Sequence, residues 1–495
     1  MKAIFFSPML LDRIRGAGAD RRWVADGILL LVCLAATVLT AATIYQVSKI
    51  YFWSHDDLIY VPNLNNKLRS EGRWLNNVFF PLIHPLPGIV CWLIGFSSVF
   101  YFFFALSREY TRNVAVAWLI AVLSLQYPGF YALWLWPGGM APAAIVLAMA
   151  PALSRRLPMA VFMPLFGILL FATYPTFYFL LPLLFLRRGD PPIVASWAKS
   201  AFLACLWASG FLLGYLVAAT LNIFLVGEFG IRLAAWREPN FVTDFASFFE
   251  NIASRLAYIV KFFADAFPNP YLDAAIILLF AFSLYCMLAE RPRREAVLSI
   301  IFCTLIILAQ YAMTVPSGIV IENRSLHQVF AGVVFLIVSV SIHRWQNLVV
   351  IGSFSLIGLA MWAEGYDAMA WYSEKTQIIY RDLAEAAPGP PAGYARLLVD
   401  SRGFPEYWAN VERSSRNSRM SPFLESPASP SRWVRAATEM GFLDAVMCPT
   451  LVGDPLTPLC TNVLAQFASD QCLNRQPRIC VLGETGGTLV IRLTP

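Results

Sequence analysis

Between residues 27 and 364 the chain returns repeatedly to long apolar runs, from "GILLLVCLAATVLTAATIYQVSK" to "NLVVIGSFSLIGLAMWAE". Each is near the roughly 20 residues that cross a hydrocarbon core, or somewhat shorter. In lipid every backbone N–H and C=O must be satisfied internally, so such runs fold as helices. The chain is 58% hydrophobic and only 14% charged, where soluble domains carry about 25% charged residues. The expected fold is an all-α polytopic membrane protein. A tail over 1–26 precedes a transmembrane domain over 27–364, and residues 365–495 differ in composition.

The expected spans are 27–49, 78–106, 114–130, 140–153, 158–173, 176–187, 195–227, 271–289, 296–315, 326–342 and 347–364, about eleven crossings. Proline at 175 leaves open a single kinked span over 158–187. The first run is too long for a cleavable signal core and is expected to be retained. Basic residues fill every second connection: Arg13 to Arg22, Arg108 and Arg112, Arg155 and Arg156, Arg187 and Arg188, Arg291 to Arg294, and Arg344. By the positive-inside rule these face the cytoplasm. The alternate connections and the tail then face outside. Net charge is +6, but it sits in these short loops, so it marks topology and no nucleic-acid partner is expected.

Within 228–270, Phe245, Phe248, Phe249, Ile252, Leu256, Ile259 and Phe263 recur at three- and four-residue steps, while Asp244, Glu250, Asn251, Arg255 and Lys261 take other faces. This predicts an amphipathic helix in the outer interface, either a lid on the bundle or a wall of a lipid groove. In the tail, "ARLLVDS", "RICVLGE" and "TLVIRLTP" read as strands and "SRWVRAATEMGFLDAV" as a helix. A small extracytoplasmic α/β or α+β domain is expected. Cys448, Cys460, Cys472 and Cys480 cluster there, which predicts one or two disulfides. A zinc site is the alternative, although no Cys-x-x-Cys pair is present. The sequence has no Walker A motif, dinucleotide glycine fingerprint or zinc-protease helix motif.

The stretch "FWSHDDLIYVPNLNNKLRSEGRWLNN" follows the first span. Asp56 and Asp57 sit there among aromatic residues that raise a carboxylate's proton affinity. One of them is expected to act as general base toward an acceptor hydroxyl; a solvated helix end is the plain alternative. Arg73 and Arg324 are candidate phosphate ligands, because a guanidinium fork matches phosphate oxygens. For Arg324 an ion pair with Glu322 is the alternative. Trp74, Tyr174, Glu322 and His327 complete the expected substrate-binding set, with His55 a weaker candidate and His84 unassigned. The carboxylates are compatible with Mg²⁺ or Mn²⁺, held by Asp56 or Asp57, without requiring either. "LQYPGFYALWLWPGG" and "FATYPTFYF" are interfacial aromatic belts that also suit the lining of a groove for an isoprenoid chain and a sugar ring.

"DDL" followed by "GRWLNN", the "YPTFY" element and "ENRSLHQVFAGVVF" together resemble the GT-C class of membrane glycosyltransferases, in particular the type II O-antigen glucosyltransferases. The resemblance covers residues 25–365 and leaves the cysteine-bearing tail unmatched. It implies a sugar, glucose among the candidates, carried on undecaprenyl phosphate at the outer face of a bacterial inner membrane. The acceptor would be a surface glycan such as an O-antigen, and the displacement would be inverting. A donor synthase and a flippase would act in the same pathway. "GRWLNN" departs from the family's "GRP" step and leaves the sugar open. The competing readings are a polytopic transporter or lipid-linked glycan flippase, a glycan polymerase, and a non-catalytic outer-face binding protein. The first would place ionisable residues near the midplane of two related halves, and neither feature is evident.

Overall fold

The computed structural model describes residues 20–48, 71–83, 86–111, 113–231, 239–266, 270–319, 321–322, 325–339, 344–386, 396–414, 433, 436–437, 440–448, 456–467, 472–475 and 478–494. The chain is mostly helical and ends in a small sheet. Among the described residues, five helices are long and apolar enough to cross a membrane: Leu30–Ser48, Gly88–Tyr110, Pro137–Arg156, Trp197–Val226 and Arg293–Thr314. Shorter apolar helices run over Trp74–Ile83, Val114–Leu125, Met159–Phe171, Pro175–Leu186, Ala274–Ala289 and His327–Val338.

Proline explains where the helices depart from the apolar runs. The run at 78–106 divides into Trp74–Ile83 and Gly88–Tyr110, with Pro87 extended at φ −53°, ψ 138° ahead of the second helix. The run at 114–130 stops at Leu125, and a separate turn of helix starts at Pro128. A residue before proline is driven out of the helical region, and that residue is Tyr127. Between Pro175 and Leu186 the chain makes a 3₁₀ segment, Pro175–Leu180, and one α-turn, Leu183–Leu186. Segments 158–173 and 176–187 are thus separate elements. In contrast, no proline interrupts Arg344–Ala386, a single helix of 43 residues that runs straight through residue 365.

The bundle core is aromatic: Trp92, Phe102, Phe103, Tyr127, Phe130 and Tyr178 are fully buried. Two helices approach backbone to backbone. A Cβ on Gly167 would lie 2.0 Å from the Gly210 carbonyl oxygen, and one on Gly214 would lie 2.4 Å from that of Gly167. Small residues permit this close packing where lipid gives no hydrophobic drive between helices.

Connections gather into two groups. In one, Arg155 pairs with Glu109 at 2.8 Å, Arg188 donates to Ser154, and Arg187 and Arg291 both engage Glu295. Arg187 also donates to the Ser339 carbonyl at 2.8 Å. In the other, residues 71–76, 136–139, 172–176, 239–255, 314–319 and 325 meet, as described below. These are the basic and the alternate connections of the sequence, respectively.

The tail forms a five-stranded sheet, order β2-β1-β5-β4-β3. β1 (Arg396–Asp400) pairs parallel with β2 (Asp444–Cys448) and β5 (Thr488–Leu493), and β4 (Ile479–Thr485) runs antiparallel to β5 and to β3 (Asn474–Arg475). Side chains alternate across the sheet. Leu397, Val399 and Ile491 pack with Tyr407, Trp433 and, from the long helix, Ile378, Ile379 and Leu383. Leu398, Leu482 and Val490 pack on the other face with Cys448, Cys460 and Cys480. Disulfides join Cys448 to Cys460 and Cys472 to Cys480, with Cα–Cα separations of 5.5 and 5.3 Å.

Candidate functional site

The turn Glu71-Gly72-Arg73 opens the site. Gly72 has φ +75°, and a Cβ there would press on Ala218 and Ile231 at 3.1 Å. Glycine is therefore the residue that fits both the left-handed backbone and the space. The helix that follows, Trp74–Ile83, is held at its start: the Leu75 and Asn76 amides both donate to the Ala172 carbonyl, at 3.2 and 3.3 Å. The buried Asn76 side chain donates to the carbonyls of Thr173 (3.2 Å) and Gly139 (3.3 Å). One asparagine thus ties three connections together.

This scaffold places the Arg73 guanidinium over two rings, 5.8 Å from the centroids of both Trp136 and Tyr174, with its Nε 3.3 Å from Glu71. A guanidinium facing aromatic rings is attracted by their quadrupoles. Tyr174 lies at the edge of the 3₁₀ segment, and its hydroxyl is hydrogen-bonded to that of Ser325 at 3.0 Å. His327, almost wholly buried, stands behind it between Phe177 (4.8 Å), Phe130 (5.6 Å) and Tyr174 (6.2 Å). The Thr176 main chain faces the His327 ring, yet neither ring nitrogen has a partner in hydrogen-bond geometry, and the Thr176 hydroxyl has none either. Buried polar atoms are almost always satisfied by protein or water, and these stand out in an otherwise aromatic cluster.

A second cation borders the same end. Arg255, on the Phe245–Ala266 helix, donates to the carbonyls of Gly318 (3.1 Å) and Ile319 and contacts the Tyr258 ring at 4.8 Å. Asn251, one turn earlier, donates to Val315 and Asn240 carbonyls at 2.9 and 2.8 Å. The sequence reading placed Arg255 on a polar face without assigning it a role. Its signal was available: positions 251, 252, 258 and 259 are Asn, Ile, Tyr and Ile, so no acid stands three or four residues away.

Of the residues singled out from sequence, Arg73, Tyr174 and His327 come together. Trp74 starts its helix half-buried, and half-buried Glu322 accepts the Ser325 amide on its backbone at 2.9 Å. Asp56, Asp57, Arg324, His55 and His84 lie outside the described residues. Among the described residues no group of three or more His, Cys, Asp or Glu side chains stands ready to hold a metal ion. Chemically, the arrangement is a cationic rim over an aromatic floor with a buried imidazole and a threonine hydroxyl beside it. Such a rim suits phosphate oxygens, and the floor suits a polyhydroxylated ring. No protein-family model, no curated protein and no solved structure matches this chain.

Proposed function

We propose that the protein is a membrane glycosyltransferase of GT-C type that moves a sugar from a polyprenyl phosphate to a glycan acceptor. The bundle is read as about eleven crossings, five by the long helices and the rest by shorter apolar segments. The end that carries Arg73 is read as the outer, periplasmic face of a bacterial inner membrane, opposite the loops rich in arginine. The observation that carries the reading is the convergence of Arg73, Trp136, Tyr174, Ser325 and His327 from four separate connections. A cation, stacking rings and buried polar groups meet at one end of an apolar bundle, and a lipid-linked sugar phosphate needs all three.

In the proposed reaction, Asp56 or Asp57 takes the proton of the acceptor hydroxyl as its oxygen attacks the anomeric carbon. The bond from that carbon to the phosphate oxygen breaks, and polyprenyl phosphate leaves with the electron pair, its charge met by Arg73 and Arg324. Attack opposite the leaving group inverts the centre. Purified protein given a short-chain polyprenyl-phosphate sugar and acceptor glycan tests this. Asp→Asn at the base should lower transfer by about 10²–10⁴-fold while donor binding persists. Parental rates in both Asn variants would move the base elsewhere, with Glu322 the next candidate. Complete absence of transfer with any donor, alongside movement of the lipid across a vesicle membrane, would favour the flippase reading.

A further inference from the structure

Helix Pro137–Arg156 runs from Trp136, at the candidate site, to a rim where positive charge outnumbers negative. The connections over 108–112, 155–156, 187–199 and 290–295 hold ten basic and four acidic residues. Two of the acids are each shared by two arginines. Glu109 meets Arg155 at 2.8 Å and Arg188 at 3.9 Å, and Glu295 meets Arg187 and Arg291. Arg187 and Arg188 are consecutive, so the two groups are joined, and each sets two cations against one anion. Arg188 also reaches the Ser154 hydroxyl at 3.1 Å, in the last turn of Pro137–Arg156. These two carboxylates are thus committed within the rim.

Beyond them stand Arg156, Arg293 and Arg294, all exposed, and among the described residues none of the three pairs with an acid. Arg156 lies in the last turn of its helix, where a cation is locally favoured. Arg293 and Arg294 open theirs, at the positive end of its dipole, where cations are disfavoured. Helix chemistry therefore does not account for these two. The lateral surface beside the rim is apolar and uncovered: Tyr285 and Leu288 on Pro270–Glu290, Val161 on Met159–Phe171, and Trp197 are exposed. Such a surface borders acyl chains, and its tyrosine and tryptophan suit the level of the headgroups. The three guanidinium groups stand at that same level, where phosphodiester oxygens are the acceptors at hand and match the guanidinium fork. The cations sit in short connections, flush with the apolar surface, which favours a lipid over a soluble partner.

We propose that Arg156, Arg293 and Arg294 bind the headgroups of anionic phospholipids, on a rim whose own carboxylates are held by other arginines. This surface is independent of the sugar-transfer reading and involves neither Arg73 nor a polyprenyl phosphate. The test uses the full chain in a neutral detergent, with fluorescent phosphatidylglycerol and phosphatidylcholine of identical acyl chains as probes. The shared chains leave the headgroup as the difference. The parent should prefer phosphatidylglycerol by about tenfold or more. The triple variant Arg156→Gln, Arg293→Gln, Arg294→Gln should lose most of that preference, at about fivefold per arginine, without a lower melting temperature. Raising salt from about 0.1 to about 1 M, which shortens the screening length from about 10 to about 3 Å, should weaken the parent's preference. Lys261→Gln, an exposed cation on the Phe245–Ala266 helix at the other end of the bundle, should leave it unchanged. Equal affinity for the two lipids in the parent overturns the proposal and leaves the arginines a part in membrane topology alone. An undiminished preference in the triple variant also overturns it, as does an equal loss in Lys261→Gln. If the triple variant does not fold, a parental preference insensitive to salt does so. The measurement contains no sugar donor, so its outcome is separate from that of the transferase test.

Discussion

Single side chains carry opposite responses to pH in the tail. Burial works against ionisation of Asp400, whose side chain has no exposed surface, but hydrogen bonds from Arg402 (2.7 and 2.8 Å) and Arg492 (2.8 Å) outweigh it and hold its pKa below the ordinary carboxylate value. A depressed pKa lends stability that is present above the unfolded value near 3.9 and is lost as pH falls through the lower native one. At Asp382 burial prevails over Arg478 and Tyr407, and the pKa is raised; there the stabilising form is the protonated one, lost as pH rises through the native value. Asp400→Asn should therefore weaken the sheet by about 1.5–3 kcal/mol at neutral pH, with a smaller effect in acid. Hydrogen exchange of the β1 and β5 amides checks this, and equal protection in parent and variant at pH 7 would refute it. Within the site, Arg73 was legible because a cation beside an aromatic and apolar run stands out. Asn76 was not legible, because its role depends on carbonyls 63 and 97 residues away.

At the scale of elements, the apolar runs announced that the chain is mostly helical. Helix breaks were harder to read: the run at 78–106 is almost wholly apolar, and only His84 and the prolines beside it mark the interruption that frees Trp74–Ile83 to carry the site. The close approach at Gly167, Gly210 and Gly214 was also invisible, since it needs both helices at once. There, Gly210→Ala should lower the melting temperature of the purified protein, because its Cβ would lie 2.3 Å from the Tyr178 hydroxyl and 2.7 Å from the Met163 carbonyl oxygen. Overpacking of this kind costs about 1–3 kcal/mol, whereas Gly227→Ala, with no atom within 4 Å at the end of the same helix, should cost only the strain of its positive φ. Equal melting for Gly210→Ala and the parent would dismiss the contact. The orientation is checked separately. Cysteine labelling in intact cells should reach residue 406, exposed on the tail domain, and not 292; the reverse would invert the proposed active face.

Across the whole molecule, one helix belongs to two cores. In Arg344–Ala386, the Trp362 indole donates to the Leu39 carbonyl (3.1 Å) and Thr43 hydroxyl (2.8 Å), and Met369, Trp371 and Tyr372 join the bundle core. From Ile378 onward the same helix joins the core of the sheet, where Asp382 accepts from Arg478 at 2.8 and 3.0 Å and from Tyr407 at 3.1 Å. The composition shifts at 365, but the helix continues because neither proline nor a glycine cap stops it. Reducing the two disulfides should destabilise the sheet by about 2–4 kcal/mol each, and the loss should register in the helix as faster hydrogen exchange over 378–386. Unchanged exchange there after reduction would show that the two cores are independent.

The shared helix is also a lever. Its 43 residues span about 65 Å at 1.5 Å per residue. A rocking of about 5° at the membrane end would carry the far end through about 6 Å on that length. A small adjustment among packed transmembrane helices would thus become a displacement on the scale of a sugar ring at the tail domain. Pulsed spin-label distances between the bundle and the sheet, taken with and without a polyprenyl phosphate, measure that stroke.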